Sequence, residues 1–400
     1  MLHRTAPPAP PPTGPRASVP APAPPGRRLL PALDRPADAF RHLGPNWYAS
    51  IMGTGITGAA AATLPVHVPG LRTAATVVWA LAAALLVAVT AAWTLHITRH
   101  GDRFRAHADH PVMAYFWGAP PMALMTVGAG AVSLGRDWIG PGTAVAVGAT
   151  LWAAGTALGL GVCVWIPYRV ITRHGPAGGD AAFAGWLMPV VPPMVSAATG
   201  APLVAHVPAG QARLTLLLAC YALFGVSLLA ALLVIAQVWN RLTHHGPGAV
   251  GMLPTLWIVL GPLGQSVTAA GVLGDASRDV LPGPYATGAR VFGVLYGLPV
   301  WGFAMVWLVL ATAVTWRTVR ADGGGRLPFS LTWWSFTFPV GTCVTGTATL
   351  ADHTGSDALG AVAVVLYVLL AAAWLVVLSR TVRAGTRGTL FLPAPAPARA

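Results

Sequence analysis

The sequence is poor in charge. Only 9% of its 400 residues are charged, and lysine and glutamate are absent, so all 24 basic residues are arginine and all 11 acidic residues are aspartate. We draw no functional conclusion from the two missing residue types. The low charge itself excludes an ordinary soluble domain, in which about 25% of residues are charged. With 55% hydrophobic residues, the composition predicts an integral membrane protein.

Cysteines and catalytic motifs are also scarce. The three cysteines, Cys163, Cys220 and Cys343, lie singly in apolar runs, which excludes CxxC pairs and thiolate metal sites. The sequence contains no HExxH, no GxSxG and no glycine-rich phosphate loop. We therefore expect that the protein is not an enzyme and that it has no cofactor, no metal site and no nucleic-acid partner.

One histidine-rich stretch keeps a remote alternative open. The residues HITRHGDRFRAHADH, at 96–110, include four histidines and two aspartates, which are side chains that can ligate a metal such as zinc. A solvated basic loop is the commoner meaning of such a stretch. A membrane metal-handling protein or enzyme is therefore retained only as a remote alternative.

Proline and alanine dominate both ends of the chain. The first 36 residues contain 12 prolines, and the chain ends in LPAPAPARA. Segments of this composition cannot bury enough apolar surface to form a core. We predict disordered cytoplasmic tails at residues 1–43 and 385–400, and a transmembrane transport domain at residues 44–384.

The middle of the chain reads as a series of apolar segments long enough to cross a bilayer, which takes about 20 residues each. We predict an all-α protein with ten transmembrane helices joined by short loops, at approximately 46–65, 74–97, 111–134, 143–168, 184–206, 214–239, 251–273, 291–316, 330–351 and 358–379.

The arginines predict the orientation of these spans. The two tails and the loops on their side of the membrane hold 19 of the 24 arginines, and the opposite loops hold five. Loops rich in arginine stay on the cytoplasmic side. We therefore expect a multi-pass protein of the cell (inner or plasma) membrane, embedded in the lipid bilayer, with both termini in the cytoplasm.

Spans three, five, seven and nine share a proline near the middle: Pro121, Pro193, Pro262 and Pro339. A proline in a helix interior removes a hydrogen bond and costs ~3 kcal/mol, so each proline predicts a kink. Seven residues after each proline the sequence has a glycine or an alanine. This repetition predicts five quasi-repeated helical hairpins around a central pore.

Polar residues follow three of these prolines at matched spacing. They are Ser196 and Thr199, Gln265 and Thr268, and Thr342, Thr345 and Thr349, while Gly53 and Gly55 take the corresponding place in span one. The spacing puts them on one face of each helix, and we predict that this face lines the pore. Helix kinks and small-residue packing seams would explain the same residues, and this alternative stays open.

Three motifs resemble those of a known family. GPNWYASIMGTG at 44–55, WGAPPM at 117–122 and WWSFTFPVGT at 333–342 are similar to the tellurite-resistance/dicarboxylate transporter family, which includes guard-cell slow anion channels, malate permeases and sulfite exporters. The resemblance covers residues 44–383. It implies five helical hairpins around a pore, a homo-oligomer that is commonly a trimer, and a phenylalanine of the ninth helix that closes the pore. The matching residue is Phe338.

These observations predict transport of small anions through a pore gated by Phe338. C4-dicarboxylate, sulfite, nitrate or chloride, and tellurite all remain open as substrates. A proton-coupled C4-dicarboxylate carrier is the alternative, because coupled transporters often carry an ionisable residue inside the membrane. In this sequence, Asp109, Asp352, His96 and His206 lie only at the ends of the predicted spans, which favours the channel.

Overall fold

The computed structural model describes residues 30–33, 35–173, 178, 180–321 and 327–392. Within these ranges the chain has no β-strand. Its α-helices, numbered in chain order, are α1 Tyr48–Thr63, α2 Leu71–Arg99, α3 Gly101–His107, α4 Ala119–Gly130, α5 Arg136–Ile139, α6 Pro141–Arg173, α7 Pro192–Gly200, α8 Gln211–His245, α9 Leu260–Ala276, α10 Gly283–Ala321, α11 Phe338–Thr354 and α12 Asp357–Arg387.

Five long helices, α2, α6, α8, α10 and α12, run for 29 to 39 residues each. At 1.5 Å per residue, 29 residues already span ~43 Å, more than the ~30 Å hydrocarbon core of a bilayer. Large apolar side chains such as Val87, Leu233 and Val309 are exposed along them. Apolar side chains on the outside of a helix bundle are typical of a surface that faces lipid.

Six helical segments of the described chain are long and apolar enough to cross a membrane: these five helices and Val250–Ala276. The sequence predicted ten spans. The α-helices of the other four predicted spans, α1, α4, α7 and α11, have only 16, 12, 9 and 17 residues. The structure therefore bears out a helical membrane protein, and the number of crossings stays a prediction.

A helix boundary lies at each of the four matched prolines. The 3₁₀ segments Met113–Gly118, Ala184–Leu187, Val250–Val259 and Leu331–Phe336 precede α4, α7, α9 and α11. Each proline then lies within the first three residues of its α-helix. Proline is tolerated there because the first N–H groups of a helix have no partner within the helix.

The five shorter helices pack in a closed ring. Helix α1 contacts α4, α4 contacts α7, α7 contacts α9, α9 contacts α11, and α11 contacts α1 again. Each also packs against the long helix that follows it in the chain. Most residues of the five ring helices are buried, so the long helices form the outer layer.

The two ends of the packed chain lie together at the base of the ring. Pro36–Phe40 forms a 3₁₀ turn and Leu43 is buried, while the Leu30 N–H donates to the Thr386 carbonyl at 2.9 Å. Tail residues such as Leu43 therefore pack on the helix bundle, and the domain limits predicted at 1–43, 44–384 and 385–400 stay a prediction. Residues 1–29 and 393–400 lie outside the described residues.

Candidate functional site

A small cavity lies inside the base of the ring, and all five repeats contribute to its wall. Its lining residues are Ala49, Met52, Phe116, Met122, Met188, Val191, Ile258, Gly261, Pro262, Leu331, Trp334, Ser335, Phe338 and Pro339. Among these described residues none is charged. The cavity has a volume of about 30 Å³, room for little more than a water molecule. We call it the axial cavity.

Phe338 is the first residue of α11 and lies in the wall of the axial cavity. Its side chain is held there by the junction that precedes it: the Thr337 hydroxyl donates to the Trp334 carbonyl at 2.7 Å, and the Gly341 N–H donates to the Thr337 carbonyl at 2.8 Å. Phe338 is 6% exposed. An anion larger than water can pass this point only if a wall side chain moves.

The predicted pore-lining hydroxyls Ser196 and Thr342 lie at seams between ring helices. The Thr342 hydroxyl points at α9, with carbonyl oxygens of Pro339, Gly261 and Leu260 at 2.7, 3.2 and 3.3 Å. Both residues are fully buried, and neither lines the axial cavity.

Ser196 holds the matched position on α7 and points to α4. Its hydroxyl lies 3.0 Å from the sulfur of Met125 and accepts a hydrogen bond from Thr156 of α6 at 3.1 Å. Ser196 and Thr342 are each the third residue after the matched proline of their span. Each contacts the ring helix that comes before its own in the chain. Periodicity placed these hydroxyls on one helix face correctly, but that face meets a neighbouring helix.

The remaining polar residues differ in their surroundings. Thr268 of α9 and Thr345 of α11 share a hydrogen bond of 2.8 Å across their seam. Gln265 is buried on α9. Thr349 reaches a separate, wider cavity at the far end of the ring, and Thr199 reaches another.

Gly53 and Gly55 allow α1 to approach its two neighbours in the ring. A Cβ atom on Gly53 would lie 2.1 Å from the Thr337 hydroxyl oxygen and 2.6 Å from the Trp334 ring. A Cβ on Gly55 would lie 2.7 Å from a methyl group of Thr126 on α4. The space that each glycine leaves is therefore already filled by a neighbouring helix, and neither residue lines the axial cavity.

Two of the cavities at the far end of the ring differ in charge. One, of about 250 Å³, is lined by Thr63, Thr199 and Arg72 among others. The other, of about 800 Å³, is lined by Thr349, Asp275, Asp352 and Asp357 among others, and we call it the acidic cavity. Arg72 is paired with Asp137, with Nε 2.9 Å from Oδ2.

Comparison with known proteins identifies the family. A family model described as "SLAC1: Voltage-dependent anion channel" matches residues 42–382. The chain belongs to this family. The resemblance carried by the three sequence motifs is thereby confirmed, and the family is one of channels and transporters rather than enzymes.

Several relatives match along almost their whole length. The chain is 28% identical over 376 residues to a protein of Trichophyton rubrum named sulfite efflux pump SSU1, covering 88% of this chain and 93% of the relative. It is 27% identical over 366 residues to the protein of that name in Arthroderma otae, with the same coverage. An uncharacterized transporter, MJ0576, of Methanocaldococcus jannaschii is 25% identical over 363 residues, covering 91% of this chain and 99% of the relative.

One histidine–aspartate contact inside this SLAC1-family ring was missed at the sequence level. His353 near the end of α11 contacts Asp275 near the end of α9, with Nε2 2.9 Å from Oδ2. A signal existed: His353 lies four residues after Thr349, on the same helix face. Asp275 and His353 were overlooked because each lies close to the end of a predicted span.

The histidine-rich stretch packs against the base of the ring. Among the described residues, no group of three or more histidines, cysteines or aspartates could hold one metal ion. The His96 and His107 rings stack at 5.3 Å, and His96 Nδ1 lies 2.8 Å from the Phe40 carbonyl oxygen. Burial, with smaller effects of neighbouring histidines, lowers the pKa of His107 to about 4, so its ring is neutral at pH 7.

Replacement of Thr342 by valine tests whether its hydroxyl stabilises the contact between α9 and α11 or lines the anion route. Thr342→Val keeps the shape of the side chain. It removes the hydroxyl that donates to carbonyl oxygens of Leu260 and Gly261 on α9. We expect a loss of ~1 kcal/mol of stability, measured by thermal melting in detergent, with anion flux within about twofold of wild type because the hydroxyl does not face the axial cavity. A much larger change in flux at unchanged stability would place Thr342 on the anion route.

Proposed function

We propose that the chain conducts small anions across a cell membrane along the axis of the helix ring. The five ring helices and the five long helices would form ten spans in five hairpins, with one route in each chain. The observation that carries this proposal is the axial cavity, because all five repeats of one chain contribute to its wall. A homo-oligomer, most simply a trimer, and cytoplasmic termini are part of the same proposal.

The absence of charge on the axial wall fits a pathway more than a tight binding site. A conducted ion must bind well enough to enter and weakly enough to leave. Within the described residues, the axial cavity offers apolar side chains and one hydroxyl, that of Ser335. The arginines that surround the same end of the chain would raise the local anion concentration there.

Sulfite is the first substrate to test, because relatives that match along 93% of their length are named sulfite efflux pumps. The test uses purified protein in liposomes and measures flux of sulfite, nitrate, chloride, malate and tellurite. Sulfite flux well above that of protein-free vesicles supports the proposal. If none of the five anions moves faster than in protein-free vesicles, the transport function is wrong.

A proton-coupled dicarboxylate carrier is the second candidate, and the Asp275–His353 contact favours it. Titratable side chains inside a transporter often mark a proton route. A carrier would accumulate malate against its gradient when a pH gradient is imposed, whereas a channel would only let malate follow its electrochemical gradient. Malate uptake with and without an imposed pH gradient, at clamped membrane potential, separates the two.

A further inference from the structure

We propose that His353 and Asp275 form a proton-binding site at the far mouth of the ring, and that protonation of His353 increases anion passage there. The inference rests on the proposed transport function. It starts from His353, whose buried side chain does not line the axial cavity. His353 is 1% exposed, whereas its partner Asp275 is 40% exposed.

The pair bridges ring helices at the end remote from the chain termini. His353 Nε2 lies 2.9 Å from Oδ2 of Asp275, while Oδ1 of Asp275 lies 3.1 Å from Arg278 and 4.0 Å from Nε of Arg290. Asp275 therefore links α9, α10 and α11. In neutral histidine, the Nε2 hydrogen donates to Asp275 and Nδ1 can only accept a hydrogen bond.

The other ring nitrogen of His353 is the reason to expect a function. Nδ1 is buried and has no hydrogen-bond partner within the described part of the chain. Uptake of a proton turns Nδ1 into a donor and gives the ring a positive charge. A buried donor without a partner is costly, so the charged ring would turn toward the acidic cavity, where a water molecule or an anion can accept its hydrogen bond.

The surrounding charges decide the sign of the effect. The acidic cavity carries Asp275, Asp352 and Asp357, and Arg278 and Arg290 contact Asp275. Helix α1, which also packs on α11, has no charged residue. The three carboxylates and the two guanidinium groups together carry one net negative charge when His353 is neutral. When His353 is protonated, the same cluster including His353 carries no net charge. An anion at this mouth is therefore repelled less when His353 is protonated.

The pH range follows from the side chain. Histidine is the residue whose charge ordinarily changes between pH 5 and 8. Acidification on the side of the acidic cavity should therefore increase anion conductance, and acidification on the side of the chain termini should leave this site unaffected.

The experiment uses planar bilayers with the full-length protein and chloride, an anion that does not titrate in this range. The pH on one side at a time is stepped from 8 to 5.5 and conductance is measured. We expect about a fivefold rise for one side only, the size expected from removing one nearby charge at a partly solvated site. His353→Gln should abolish the rise. His67→Gln, an exposed histidine in the loop before α2, is the matched control and should keep it.

A second variant guards against a purely structural effect of His353→Gln. Asp275→Asn breaks the same side-chain contact but keeps the histidine, so the rise of conductance on acidification should persist in this variant. Chloride conductance that is flat with pH in wild type, or a rise that His353→Gln leaves intact, overturns the proton site alone. If wild type passes no anion, the proposed function falls and the proton site with it.

Discussion

Phe338→Ala is expected to raise anion flux by about tenfold or more, which corresponds to lowering the passage barrier by ~1.4 kcal/mol. The physical reason is space. Phe338 lies in the wall of a cavity that has a volume of only about 30 Å³, and removal of its ring would enlarge that cavity. Chloride conductance in planar bilayers and sulfite efflux from liposomes both measure the change.

The matched control for this variant is Phe336→Ala. Phe336 lies two residues earlier, and its ring packs at 5.1 Å from Trp257 and 5.8 Å from Trp333 without lining the axial cavity. Each variant removes one phenyl ring, and only loss of the Phe338 ring should open the route. Equal flux in wild type and Phe338→Ala, with Phe338→Ala still folded, would contradict the gate.

Gly118→Ala is expected to have the largest effect on stability. A Cβ at Gly118 would lie 1.8 Å from the carbonyl oxygen of Met188 and 2.4 Å from its carbonyl carbon. Both are backbone atoms and cannot rotate away, so the segment before α4 must move from the one before α7. We expect a loss of about 3 kcal/mol or more, measured as a lower melting temperature and a smaller monodisperse fraction in detergent.

Gly161→Ala on α6 provides the comparison. This glycine also lies in a helical segment, and a Cβ there would meet no atom within 4 Å. Alanine is favoured over glycine inside a helix by ~0.5–1 kcal/mol, so the variant should be as stable as wild type or slightly more stable. If Gly118→Ala behaves like Gly161→Ala, the close backbone contact at the base of the ring is not present in the protein.

The sequence was informative where composition and local chemistry decide structure. The four matched prolines fall in the first turn of their α-helices, where a missing N–H donor costs nothing. Pro167 and Pro299, in contrast, lie inside α6 and α10, so proline alone does not fix a boundary. The long apolar runs of α2, α8 and α10 likewise predict helices with apolar side chains on their outer surface, and such side chains are exposed there. The family could be recognised from short motifs, and the match over residues 42–382 agrees.

Whether the candidate residues line an anion route stays a prediction. Spacing places Ser196 and Thr342 on defined helix faces, but it does not say whether such a face meets a pore or another helix. Their hydroxyls lie at the seams with α4 and α9. Gly53 and Gly55 likewise accommodate Trp334 and Thr126. Thr199 and Thr349 reach open cavities because they lie further along their helices, where the ring helices leave more room between them.

By itself, the sequence determined that the protein is helical and apolar enough for a membrane, that proline breaks recur in its shorter helices, and that it belongs to an anion channel family. These properties follow from residue chemistry within one helix or one motif. The tertiary structure alone decided which side chains meet. His353 and Asp275 lie 78 residues apart in the chain, and only the packing of α9 against α11 brings their side chains together.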